Sequence, residues 1–164
     1  MVEKIIGRKE LLKQLDEEMR QMSTWTVLFH SAIAEQVDLN VTDQKCLDIL
    51  NQHGPLAAGQ LADITGLTTG AITGVIDRLE KAGYVHRERD LNDRRRVIVQ
   101  PALEKVAQDL GPIFTHFQQR YLPLLENYPE DELNLLISFF QESVRFLQEE
   151  INWLRQRELK DIWQ

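Results

Sequence analysis

Residues 54–100, GPLAAGQLADITGLTTGAITGVIDRLEKAGYVHRERDLNDRRRVIVQ, decide the fold. Leu61, Ala62 and Ile64 supply one short apolar helix face, and Ile72, Val75, Ile76 and Leu79 supply a second at helical spacing. Between them lies Thr65-Gly66-Leu67-Thr68, in which Thr68 is placed to accept a first-turn amide as an N-cap. Gly83, after the second face, suits the left-handed residue that ends a helix. Two helices joined by a glycine-containing turn outline a helix-turn-helix. Tyr84-Val85 and Val97-Ile98-Val99 then flank a polar tip, Asp90-Leu91-Asn92-Asp93, the pattern of a β-hairpin with a charged loop.

Outward from this segment the chain reads as helix. From Ile5 to about Gln36, apolar residues recur at steps of three and four, which predicts a long amphipathic helix. The stretch from Asp38 to Val41 interrupts it, and Thr42 is placed to cap a second helix with Cys46, Leu47 and Leu50 on its apolar face, stopped by His53-Gly54-Pro55. Pro101 to about Glu126 reads as one further helix through Leu103, Val106, Leu110, Ile113, Phe114 and Phe117. Pro129 suits the first position of a last helix of about 30 residues, on the order of 45 Å long. The fold class is mainly α with a small β-hairpin wing: an N-terminal helix over 1–36, a winged helix-turn-helix over 37–100 and C-terminal helices over 101–164.

Composition bounds the function. The 164 residues hold 19 Lys and Arg against 26 Asp and Glu, and a net charge of −7 disfavours a protein that coats nucleic acid with its whole surface. Cys46, the single cysteine, forms no internal disulfide, and its place beside Leu47 and Leu50 suggests an inert core thiol rather than a peroxide sensor. His30, His53, His86 and His116 stand singly, without a second ligand three or four residues away, so neither a metal nor another cofactor is expected. The charged N-terminus lacks the apolar stretch of a signal peptide and no run of 18 apolar residues occurs, which predicts a cytoplasmic protein without a membrane partner. No nucleophile, base and oxyanion grouping marks an enzyme.

The distribution of charge is more telling than its sum. Between positions 78 and 96, Arg78, Lys81, Arg87, Arg89, Arg94, Arg95 and Arg96 outnumber Glu80, Glu88, Asp90 and Asp93, seven against four. That stretch is therefore +3 and the remainder −10, a local positive patch of the kind a double-stranded DNA reader needs. Thr69, Gly70, Thr73 and Gly74 share the helix face opposite Ile72, Ile76 and Leu79. Two helical glycines cost roughly 1 kcal/mol each, which either close approach to base edges or packing against a neighbouring helix would explain. Three arginines at a hairpin tip suit the negative potential of a minor groove, with Asp93 bonding turn amides or orienting an arginine.

The stretch from Val41 to Val99 resembles the winged helix-turn-helix core of the MarR family, the multiple-antibiotic-resistance type of bacterial transcription regulators. Gln60-Leu61-Ala62, Gly66-Leu67-Thr68, Val75 through Gly83, and Asp90-Leu91-Asn92-Asp93-Arg94-Arg95 carry the resemblance in order and spacing. It implies a homodimer whose terminal helices interlock, a roughly palindromic operator, and repression more readily than activation. It places Thr68, Thr69, Gly70 and Thr73 on the major-groove face, Arg78 on a phosphate, and Arg95 in the wing beside Asp93. Two departures stand out: Ala57 where relatives place a Ser or Thr cap, and Gln100-Pro101-Ala102 where they place Leu-Thr.

Ile137, Phe140, Val144, Leu147, Ile151 and Leu154 alternate three and four apart, a seam suited to a partner helix, and Leu11 and Leu15 join them through the resemblance. Relatives often take a small aromatic or anionic effector, for which Trp25, Phe29 and His30 are candidate lining, the competing reading being plain core. A winged module used only for protein contact is the rival to a DNA reader, and the arginine wing speaks against it.

Overall fold

A computed structural model of the chain describes residues 7–90 and 96–157. The chain divides into two compact units, residues 1–114 and 115–164.

The first unit opens with α1 (Arg8–Gln36), whose buried residues, Ile33 and Ala34, lie in its last turns. Next comes α2 (Val41–His53), capped by Asn40 rather than Thr42. The Asn40 Oδ1 accepts from the Asp43 amide at 2.8 Å from an extended backbone, so Thr42 falls inside the first turn. The helix-turn-helix follows as α3 (Ala58–Thr65) and α4 (Thr69–Lys81). Gly66 ends α3 in the left-handed region, φ +68°. Ala57, with no side-chain acceptor, leaves the start of α3 half-capped: Gln60 Oε1 accepts from the Ala57 amide at 2.9 Å, and the reciprocal bond of a capping box has no atom to make it. Beyond α4, Gly83 takes φ +80° and the Tyr84 amide returns to the Leu79 carbonyl at 2.9 Å, closing the helix as its glycine predicts.

The wing is β2 (Val85–Arg89) against β3 (Val97–Pro101), with Arg87 opposite Val99. A third strand, β1 (Leu56–Ala57), pairs antiparallel with the other side of β3, giving the order β1-β3-β2. Two residues are too few for an alternating pattern to announce, so the sequence shows the hairpin alone. Pro101 does not begin a helix; it is the last residue of β3, opposite Val85, and α5 (Leu103–Asp109) starts after it. The single helix expected over 101–126 is also divided, because Gly111-Pro112 begins a new one, α6 (Gly111–Leu125). Pro112 has no N–H to continue the ladder of α5, and its ring crowds the preceding turn.

The core of this unit gathers Ile33, Leu47, Leu50, Leu61, Ile72, Ile76, Leu79 and Val99 around Cys46. Ile64 and Leu103, read above as apolar-face residues, are exposed. Tyr84 seals the wing base: its hydroxyl donates to Asp109 Oδ2 at 2.8 Å, Lys105 Nζ donates to the same oxygen at 2.7 Å, and the ammonium lies 4.7 Å from the Tyr84 ring centroid. Burial, then the Asp109 bond, push the Tyr84 phenol up to about 12, while Lys105 and then Tyr84 hold Asp109 below the usual carboxylate value.

In the second unit, α7 (Glu130–Arg155) follows Pro129, which occupies the cap position rather than the first helical one. Glu130, Asp131 and Glu132 fill its first turn, where the positive helix end favours them. None of its residues is buried. Among the described residues, no helix is long and apolar enough to cross a membrane.

Candidate nucleic-acid interface

The surface of α4 is built by its own amphipathicity. Ile72, Val75, Ile76 and Leu79 are buried, which turns Thr69, Gly70 and Thr73 to solvent. Thr68 caps the helix as expected, its hydroxyl accepting from the Ala71 amide at 3.3 Å, and the Thr73 hydroxyl donates back to the Thr69 carbonyl at 2.9 Å. A Cβ added at Gly70 would meet nothing within 4 Å, so packing against a neighbouring helix does not account for that glycine. At Gly74 the added atom would meet only Arg78 Nη1, at 3.4 Å, an ordinary contact with the end of a flexible side chain, so no neighbouring helix crowds this glycine either.

A groove of about 610 Å³ runs between this face and the start of α2, lined by Asn40, Val41, Thr42, Leu67, Gly70, Ala71, Gly74, Val75 and Arg78. At its edge Arg78 makes a two-pronged bond to Asp43, Nε to Oδ2 and Nη2 to Oδ1, each 2.7 Å. The bond to Asp43 is the main cause that raises the Arg78 pKa above its already high ordinary value, so its charge is permanent.

Arg87 is also held. Its guanidinium bonds Glu80 and Asp77, both on α4, and its amide donates to Glu80 Oε1 at 3.1 Å. Burial opposes its charge, yet the two carboxylates outweigh burial and raise its pKa. Two of the arginines counted toward the positive patch are thus matched by carboxylates, two of which, Asp43 and Asp77, fall outside that count. Lys81, Arg89 and Arg96 are exposed, and the Asp90 amide pairs with the Arg96 carbonyl at 3.1 Å at the base of the wing loop. Asp93, Arg94 and Arg95 lie outside the described residues.

Sequence reasoning missed Asn40, Asp43 and Asp77. Asn40 three residues before Asp43 is a readable cap signal, whereas nothing local pairs Asp43 with a side chain at position 78. The effector candidates do not come together as a cavity with the groove above: Trp25 is 65% exposed and Phe29 packs against the core. His30 lies 6.1 Å from the Phe29 ring centroid, and its Nδ1 is buried without a hydrogen-bond partner among the described residues. Leu11, Leu15, Ile137, Phe140, Val144, Leu147, Ile151 and Leu154 are all exposed in the single chain. Among the described residues, no group of three or more His, Cys, Asp or Glu could hold a metal.

A helix-turn-helix flanked by a hairpin, with a small-residue face on its second helix, defines a winged-helix DNA-binding protein. The sequence matches the model of the MarR family over residues 39–97. It is 45% identical over 150 residues to the uncharacterized HTH-type transcriptional regulator YcgE of Bacillus subtilis (strain 168), spanning 92% of this chain and 97% of that protein. In fold it is similar to Streptococcus pneumoniae FabT in complex with DNA, with a TM-score of 0.68 at 16% identity over 84% of this chain and 98% of that one. It is likewise similar to a mutant of E. coli MarR complexed with operator DNA, with a TM-score of 0.54 at 19% identity over 84% of this chain and 99% of that one. The chain belongs to the MarR family and is a DNA-binding transcription regulator, not an enzyme.

Proposed function

We propose that the protein is a cytoplasmic repressor that binds a pseudo-palindromic operator as a homodimer. In this reading α4 of each copy enters a major groove through Thr68, Thr69, Gly70, Thr73 and Gly74, and the wing arginines Arg94, Arg95 and Arg96 follow the adjacent minor groove, with Asp93 fixing the turn. Arg78 and Arg87 flank the contact. The open face at Gly70 carries the reading, since a helix glycine with no neighbour to accommodate is explained by a surface that must approach something closely. Occupancy of the operator is enough to exclude polymerase.

Dimerisation is supported by the apolar residues that α7 leaves in solvent, Ile137, Phe140, Val144, Leu147, Ile151 and Leu154, with Leu11 and Leu15 of α1 as a second patch. A small aromatic or anionic effector acts by binding better to a dimer whose winged domains are wrongly spaced for DNA. The buried, unpartnered His30 Nδ1 beside Phe29 supports a polar contact for it, and Trp25 is a further wall.

The test is a salt titration of affinity for duplex DNA recovered from a random library. If the dimer neutralises roughly 6–10 phosphates, affinity falls by about 10³ to 10⁵ between 50 and 200 mM salt. A flat profile refutes duplex DNA as the partner.

A further inference from the structure

We infer that Asp43 is a positioning residue for DNA contact: from the first turn of α2 it holds the Arg78 guanidinium flat along α4, so that Nη1 is presented over Gly74 to a DNA phosphate at the edge of the groove. This rests on the DNA-reading function proposed above.

Asp43 is among the most buried of the described residues, although its side chain is a carboxylic acid. Such a carboxylate is tolerated only if its oxygens are engaged. Asn40 Nδ2 donates to Oδ2 at 2.8 Å, and Arg78 supplies Nε and Nη2, so the carboxylate is fixed from both sides. The asymmetry of the pair is informative, because the Asp43 side chain is 2% exposed and that of Arg78 is 52% exposed. About half of the arginine side chain is thus open to solvent, where a phosphate can reach it.

The two-pronged bond also fixes orientation. It consumes the Nε and Nη2 edge and leaves Nη1, which lies 3.4 Å from where a Cβ at Gly74 would stand. Lysine, with one point charge on a flexible stem, could not be aimed this way. Gly74 lies beside Nη1, and the groove there is bordered by Gly70 and Thr42.

Charge counting gives the opposite expectation, which makes the test decisive. If Asp43 only neutralises Arg78, its removal strengthens attraction to phosphate. The experiment measures full-length wild type, Asp43→Asn and Arg78→Lys by fluorescence anisotropy against the labelled duplex selected by the wild type and a scrambled duplex, with thermal melts of each protein. Asp43→Asn is expected to bind both duplexes about tenfold more weakly despite losing a negative charge, because a phosphate contact carries no sequence information. Arg78→Lys, which keeps the charge, is expected to lose a similar factor with its salt slope unchanged, and the double variant to be no weaker than either single one.

Equal or tighter binding by Asp43→Asn at an unchanged melting temperature overturns the inference. So does a double variant that binds more weakly than either single one, the additive signature of two residues acting independently. Should Asp43→Asn fail to fold, wild-type affinity in Arg78→Lys overturns it alone. A wild-type protein that binds no duplex overturns the repressor reading and this inference together, an outcome distinct from the failure of Asp43 alone.

Discussion

One turn beyond Asp43 on α2 lies Cys46, 1% exposed. Burial first, then the Asp43 charge, push its thiol from 9.0 up to about 11, and Arg78 offsets only part of that. A neutral buried thiol is a poor nucleophile, so a disulfide-exchange reagent at about pH 8 is expected to label Cys46 only as fast as the chain opens. Rapid labelling of the folded protein would contradict this. The same shift sets an alkaline limit: because the folded value exceeds the unfolded one, the stability it contributes is complete below pH 9 and is lost as pH rises through about 11. Tyr84, raised from 10.0 to about 12, acts in the same direction. Melting temperature is therefore expected to fall above about pH 9, measured by thermal melts across alkaline pH. The burial of Cys46 is legible in the sequence from Leu47 and Leu50 beside it; that of Asp43 is not, because a carboxylate in a first helical turn is ordinarily a solvated, dipole-favoured residue.

At the scale of elements, α4 offers the sharpest separation of folding from function. Gly70→Ala puts a methyl into open space and removes a flexible residue from a helix, so it is expected to stabilise the fold by about 0.5–1 kcal/mol. The same methyl is expected to weaken binding to the selected duplex. Melts and anisotropy on one preparation check both signs, and a destabilised variant would contradict the open face. Punctuation by local chemistry is what a sequence shows well: Thr68, Gly66 and Gly83 stand where their backbone preferences place them. Asn40, two residues before Thr42, is the cap because its side-chain Oδ1 already takes up the Asp43 amide. The break before α6 is written in Gly111-Pro112, which an uninterrupted apolar spacing conceals. Contacts that depend on tertiary placement leave no such mark. Summing formal charges gives Arg78 and Arg87 full weight, although Asp43, Asp77 and Glu80 hold them.

For the whole molecule the unresolved energy lies in α7. Twenty-six residues with none buried, among them Phe140 at 52% and Leu147 at 57% exposure, forgo about 25 cal/mol for each Å² of apolar surface left in water. A second copy is the cover proposed above. Phe140→Asp or Leu147→Asp is expected to convert a dimer to a monomer in light scattering, and a monomer mass for the unaltered chain at micromolar concentration would refute the seam. The sheet poses the reverse problem. β1 is only two residues long and β2 ends the sheet, so the outer rim of β2 has no strand beside it, although Glu80 of α4 takes up the Arg87 amide. Such rims recruit strands from other molecules unless charge blunts them. Arg87, Glu88 and Arg89 provide that charge. Colloidal behaviour and DNA affinity are therefore coupled in the wing: a redesign that exchanges these residues for β-branched apolar ones would trade a regulator for an aggregating ribbon.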